Sequence, residues 1–260
     1  MFLIYFFLLG ILISSAYAEE CPALNSERDN QIIEYRATCE INGKIEINHS
    51  GVELRCNGAI IDGARVERYG VLINSNGKPL VDVLVDRCVI RNFLVNGIYV
   101  GWKINDDEKG NDAVLINKKT PQRITIKEVF VSNIGSVAIY LDDYVSNINV
   151  LDSKLTDNDG VALYLEHSSW GNKITGNLFA RNGWGRKREA LAIDSSSKNS
   201  IEKNRFENNA WGSIFLYKNC QEYANKNVHS VSRWQSSSYN IIQGNYFSNE
   251  NIAIWVASRQ

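Results

Sequence analysis

The sequence is short of proline and histidine and carries no excess of charge of either sign. Three prolines and eighteen glycines among 260 residues exclude collagen-like and proline-rich chains. Twenty-eight Lys and Arg stand against 29 Asp and Glu, a net charge of −1. The basic excess that non-specific nucleic-acid binding requires is absent, so no nucleic-acid partner is expected. At 44% hydrophobic the chain is too apolar to be disordered, and its length allows one or two domains around a sizeable core. It contains no G-x-G-x-x-G after a strand, no Walker loop, no H-E-x-x-H and no C-x-x-C, which removes the nucleotide, zinc-protease and thioredoxin readings.

Long apolar runs are missing too, except at the start. Phe2 to Ala18 is nearly all apolar and ends Ala16-Tyr17-Ala18, which reads as a signal peptide over 1–18 with Glu19 as the first mature residue. No Lys or Arg precedes the run, so an uncleaved anchor is the alternative. Cys21 lacks the preceding small residues of a lipoprotein box. No later stretch reaches the ~20 apolar residues of a membrane span. The expected product is secreted or periplasmic, with no stable span after cleavage. Export permits disulfides among Cys21, Cys39, Cys56, Cys88 and Cys220. Cys21 and Cys39 could staple an N-terminal cap over 19–50, although spacing alone does not fix the pairing. The odd count leaves at least one thiol over.

What the chain does have is repetition. The stretches 136–143, 160–167, 188–195, 212–219 and 251–258 each alternate apolar and other residues with period two, as short strands do. Another strand precedes each, at 123–131, 148–156, 172–180, 199–207 and 240–248, and Ile126, Val150, Ile174, Ile201 and Ile242 fall in one column. The first two steps are 24 residues; 81–102 fits the same template and 51–74 fits it more loosely. Such a period with very short strands predicts a solenoid, one coil per repeat, its strands pairing in parallel at about 4.8 Å per coil. Asn177, Asn204 and Asn245, each followed two residues later by Phe179, Phe206 or Phe247, read as an interior ladder, and Asn158, Asn182 and Asn209 as a second turn column.

These N-x-I-x-x-N-x-F-x-x-N lines resemble the right-handed parallel β-helix repeat proteins, a group related to pectate lyases, alginate lyases and mannuronan epimerases. The resemblance covers roughly 51–260. It implies an all-β, right-handed parallel β-helix and, for most members, action on acidic polysaccharides. The columns that carry it are core positions, so function has to be read from the outward ones.

One outward column reads Tyr99, Tyr140, Tyr164, Ala192, Phe215, Trp255, an aromatic stripe suited to stacking on sugar rings. Two residues on, Asp142, Glu166 and Asp194 fall on consecutive coils, where like charges repel unless compensated by a metal such as Ca²⁺, a basic ligand, nearby Arg or Lys, or a raised pKa. The next position holds Asp143, His167, Ser195 and Lys218. Insertions at about 103–120 and 220–239 leave on the same edge, four coils or roughly 19 Å apart, and could frame a cleft. A shorter one, 183–188, enters from the other edge with Arg186, Lys187 and Arg188; the second long insertion carries Glu222, His229, Arg233 and Trp234.

Uronate lyases and epimerases neutralise the sugar carboxylate, take the C5 proton with a base and supply an acid. By residue type, Arg188 or Arg259 suits the first task, His167 or Lys218 the second, and Tyr164 or Tyr217 the third. Tyr140, Asp142, Glu166, Asp194, Phe215, Arg233 and Trp255 complete the expected substrate surface. The sequence has no complete pectate lyase signature and no Asp-Pro-His-Asp run of alginate epimerases. Asp142-Asp143 with His167 is faintly similar to polygalacturonases, whose Asn-Thr-Asp and Gly-His-Gly motifs are missing. A glycoside hydrolase using the carboxylate row and a non-catalytic glycan-binding surface protein are the alternatives. The chain stops at Gln260, directly after a strand; a shortened form of a longer protein, or oligomerisation through the bare end, is expected.

Overall fold

A computed structural model describes residues 18–102, 113–219 and 235–259; the side chains of Ala113, Val114, Ser258 and Arg259 lie outside it. Among the described residues three long parallel sheets wrap a single interior. One has nine strands, from Glu19–Cys21 to Tyr246–Ser248. The second has eight, from Ile32–Glu34 to Ile241–Gln243, and the third has eight, from Ile45–Ile47 to Ile254–Arg259. Each full coil visits the second, first and third sheets in that order, as in Thr125–Lys127, Phe130–Ser132 and Val137–Leu141. The segment 19–50, read from the sequence as a cap, contributes strands to all three sheets. Cys21 is bonded to Cys39, and Cys56 to Cys88; Cys220 lies outside the described residues.

The register places Ile126, Val150, Ile174, Ile201 and Ile242 directly opposite one another, as the sequence column predicts. The strands are short because one residue at each corner turns the chain. Glu128, Asp152 and Lys203 occupy equivalent corners with φ of 53°, 48° and 54°, and Gly176 sits between them at 75°. A Cβ on Gly176 would stand 2.2 Å from Asp152 Oδ1.

The asparagine columns fill the turns with hydrogen bonds between coils. Asn177 Nδ2 donates to Asn204 Oδ1 at 3.0 Å and Asn204 Nδ2 to Asn245 Oδ1 at 3.0 Å. Asn158, Asn182 and Asn209 repeat the pattern, and a third column, Asn172–Asn199–Asn240, is formed by the first Asn of the same repeat lines. Phe179 stacks on Phe206 with centroids 4.7 Å apart, and Phe206 on Phe247 at 5.3 Å. The described ends of the two long insertions, 113–120 and 235–239, pack against one corner, at the end of the third sheet. Asn117 Nδ2 donates to Tyr144 O, Gln235 Nε2 to Ser195 O, and Ser237 Oγ to Ile193 O.

Candidate functional site

The outward column of the third sheet is in register: Tyr99, Tyr140, Tyr164, Ala192, Phe215 and Trp255 lie opposite one another on successive strands. The rings stack on each other, Tyr99 to Tyr140 at 5.9 Å and Tyr140 to Tyr164 at 5.5 Å. Tyr164 and Phe215 are buried, while Tyr99 and Tyr140 are half-buried and Trp255 is exposed. The stripe is therefore less open to a sugar than the sequence suggested. Arg188 lies over the Tyr164 ring, 5.9 Å from its centroid, and Phe215, Tyr217, Trp255 and Ile252 pack as a second, outer apolar layer.

Each tyrosine hydroxyl reaches one coil forward to a carboxylate. Tyr99 donates to Asp142 Oδ2, Tyr140 to Glu166 Oε2 at 2.8 Å, and Tyr164 to Asp194 Oδ2 at 2.9 Å. These donors compensate the stacked negative charges that the sequence left needing an explanation. Burial, reinforced by the facing carboxylates, pushes all three phenols above their ordinary range, so they remain protonated. Asp194 is fully buried and also accepts from Ser195 Oγ and Asn219 N. Asp142 is half-buried; burial and the neighbouring Asp143 charge outweigh the Tyr99 hydroxyl and push its carboxyl up to about 7.

Beyond Tyr164 the row ends in an ion pair. Arg188 grips Glu189 through two bonds of 3.0 and 2.9 Å. Burial works to raise the Glu189 carboxyl, but Arg188 holds it below the usual range. The Tyr217 hydroxyl stands 3.0 Å from Glu189 Oε1 and 3.2 Å from the Tyr164 hydroxyl, joining the pair to the row. Glu189, Trp211, Phe215, Tyr217, Ile252 and Trp255 line a cavity of about 230 Å³. Sequence reading missed Glu189, whose only signal is its place directly after the 183–188 insertion, and Trp211, which falls in no repeat column.

His167 is buried, its backbone N–H on Glu166 Oε1 at 3.1 Å and its ring edge-on to Tyr144. Lys218 is half-buried on the third sheet, opposite Ser258. Arg233 and the side chain of Arg259 lie outside the described residues, as do Glu222, His229 and Trp234. Among the described residues no three His, Cys, Asp or Glu side chains converge as a metal site, and no helix is long and apolar enough to cross a membrane.

Comparison with known proteins follows this geometry. The chain resembles the A-modules of two Azotobacter vinelandii mannuronan C-5 epimerases, AlgE6 at 13% identity and TM-score 0.62, and AlgE4 at 11% and 0.58. Each match covers 90% of this chain and 65% of the other, so the chain spans about two thirds of either structure. At such identities the likeness concerns the fold. No curated protein matches the sequence. A family described as "Right handed beta helix region" matches residues 44–247, most of the chain, and gives the coils their hand: the protein belongs to the right-handed β-helix family.

Proposed function

We propose that this is an exported protein that binds an acidic polysaccharide along the outer face of the third sheet and removes the C5 proton of a uronate unit, as a lyase or an epimerase. The observation that carries the reading is the tyrosine–carboxylate row. In it a half-exposed acid, Asp142, exchanges its proton near neutrality beside hydroxyls that keep theirs. A general base is most effective when its pKa lies near the working pH. Asp142 takes the C5 proton, and Tyr140, whose hydroxyl rests on Glu166, is the acid for the leaving oxygen or the opposite ring face. Lys218 and Arg188 supply the positive charge for the sugar carboxylate, Arg188 by sharing its fork with Glu189. His167 and Lys218 as bases, and Tyr164 and Tyr217 as acids, are the second assignment; all but Lys218 are buried.

The test is incubation of the mature chain with alginate and with polygalacturonate, in light and heavy water. Unsaturated uronate ends mean a lyase, and deuterium at C5 without cleavage means an epimerase. New reducing ends without unsaturation mean a hydrolase and sink the proton-abstraction reading. Asp142→Asn is expected to lower turnover by about 100-fold or more; full turnover in that variant removes Asp142 from the chemistry. A second reading, binding without turnover, is favoured by the burial and mutual satisfaction of Tyr164 and Asp194. Binding with neither product selects it. The arrangement does not fit a calcium ion shared by Asp142, Glu166 and Asp194: each accepts from its own tyrosine, and among the described residues no three such side chains converge. Self-association through the final coil, where Ile254 and Val256 are exposed, belongs to the same proposal and is read by light scattering.

A further inference from the structure

Around the corner from the row, both long insertions wall a cavity of about 490 Å³. Asn117 comes from the first, and Gln235, Ser236, Ser238 and Tyr239 from the second; the coils supply Tyr144, Ser168, Trp170, Ser197 and Lys198. That volume falls within the range of small-ligand sites. Two features set this corner apart from a solvated crevice. The Tyr144 hydroxyl and Ser168 Oγ are buried and have no hydrogen-bond partner, although both residues line the cavity and each is 2% exposed. Leaving such a group unmade costs its full desolvation, so native structures rarely keep two together without something to bind them.

The rest of the wall indicates what fills it. Trp170 is 36% exposed and offers an aromatic face. Ser197, Ser236, Ser238, Asn117 and Gln235 offer hydroxyls and amides, Lys198 is an exposed cation, and among the described residues no carboxylate lines the cavity. An aromatic face, a ring of neutral hydrogen-bonding groups and the Lys198 charge are complementary to a polyhydroxylated ring bearing an acid group. We propose that this cavity is a second glycan site. It holds one uronate unit stacked on Trp170, with hydroxyls on Tyr144 and Ser168 and the carboxylate near Lys198, and anchors the chain whose neighbouring units lie on the row. Ser168 is two residues from Glu166, so one oligosaccharide has a short path from one site to the other. The assignment of an acidic glycan rests on the function proposed above; the cavity and its unpartnered hydroxyls do not.

The experiment is calorimetric titration of the mature full-length chain with tri-mannuronate and tri-galacturonate, and with cellotriose as the neutral probe. Trp170→Ala is expected to weaken binding of an acidic trisaccharide about tenfold or more at unchanged melting temperature. The double variant Tyr144→Phe, Ser168→Ala should lose affinity while folding at least as stably as the parent, because it removes two orphaned hydroxyls. Lys198→Ala should weaken the acidic sugars and leave cellotriose unaffected. Absence of binding by the parent, or equal affinity in parent and Trp170→Ala, overturns the site, and turnover by the parent in that case leaves the proposed function standing. Trp170-dependent binding with no turnover of any acidic glycan does the reverse.

Discussion

Two ladders climb this molecule on opposite sides of one sheet system, and they meet the same stacking problem with different chemistry. Inside, the amide of Asn177 both accepts from the coil before and donates to the coil after, at 2.9 Å from Ser153 N and 3.0 Å to Asn204 Oδ1. A group that donates and accepts can be repeated indefinitely without accumulating charge. Outside, Asp142, Glu166 and Asp194 only accept, so each needs a donor of another kind, and the tyrosine one coil back provides it. The interior ladder is self-sufficient architecture. The exterior one holds unneutralised charge in place and leaves one member, Asp142, with its proton poised near pH 7. On the proposed function, that is the proton a general base would exchange.

The comparison is broken hardest from within. Phe206 is fully buried and stacked on both sides. Phe206→Ala is expected to cost about 3–5 kcal/mol, the usual penalty for an emptied aromatic core position, read by denaturant midpoint. A cost below about 1 kcal/mol would mean that the coils close over the gap and do not depend on the stack. On the exterior ladder, Tyr164→Phe takes a donor from the buried Asp194, which keeps Ser195 and Asn219. The expected loss is about 1–3 kcal/mol. His167→Ala belongs to the same range: a buried ring packed on Tyr144 makes a fall in melting temperature part of the outcome, so loss of activity alone would not identify a base.

Asp142 separates the ladders by pH. Its folded carboxyl is raised to about 7 from an ordinary value of 3.8, so its proton stabilises the folded state. That contribution is complete below about pH 4 and is lost as pH rises through about 7. Melting temperature should therefore fall across that interval more steeply in the parent than in Asp142→Asn, by an amount on the order of a few kcal/mol at most. Parallel profiles would show that Asp142 titrates as a solvated acid and would remove the proton-exchange argument with it.

How far the sequence disclosed this follows from where information is repeated. Ile126, Val150, Ile174 and Ile201 must each be apolar for their coil to close, so the column is printed once per repeat and the register could be read from it. The outward tyrosines and carboxylates were also legible as columns. Their pairing was not, because it runs from one column to the other across a coil boundary. Nor was the burial of Tyr164 and Phe215, which depends on Arg188, folded over Tyr164 from the 183–188 insertion, and on Trp255, packed on Phe215 from the next strand of the same column. The Asn172, Asn199 and Asn240 column is the leading Asn of the repeat lines; what the lines did not disclose is that Asn199 also donates to Ser196.

The smallest effect tests whether the two chemistries are interchangeable at one place where the molecule has already exchanged them. The column Asn158, Asn182, Asn209 continues into Glu250, whose Oε1 accepts from Asn209 N at 3.0 Å and Nδ2 at 2.8 Å. Its Oε2 is buried beside Ser213, and a carboxylate cannot supply the donor that Asn209 gives to Phe179 O. Burial, working against the Asn209 donors, raises the Glu250 carboxyl above its usual 4.5, so its protonated form stabilises the fold and the benefit fades as pH rises past that value. Glu250→Asn is expected to restore the interior pattern, adding about 1 kcal/mol near neutrality and nothing at pH values below the ordinary glutamate range. Glu250→Gln, which removes the charge but keeps the length, should recover part of that gain. If Glu250→Asn lowers the melting temperature at neutral pH, the carboxylate is favoured there over the amide, and the distinction between a neutral ladder inside and a charged one outside fails at this coil.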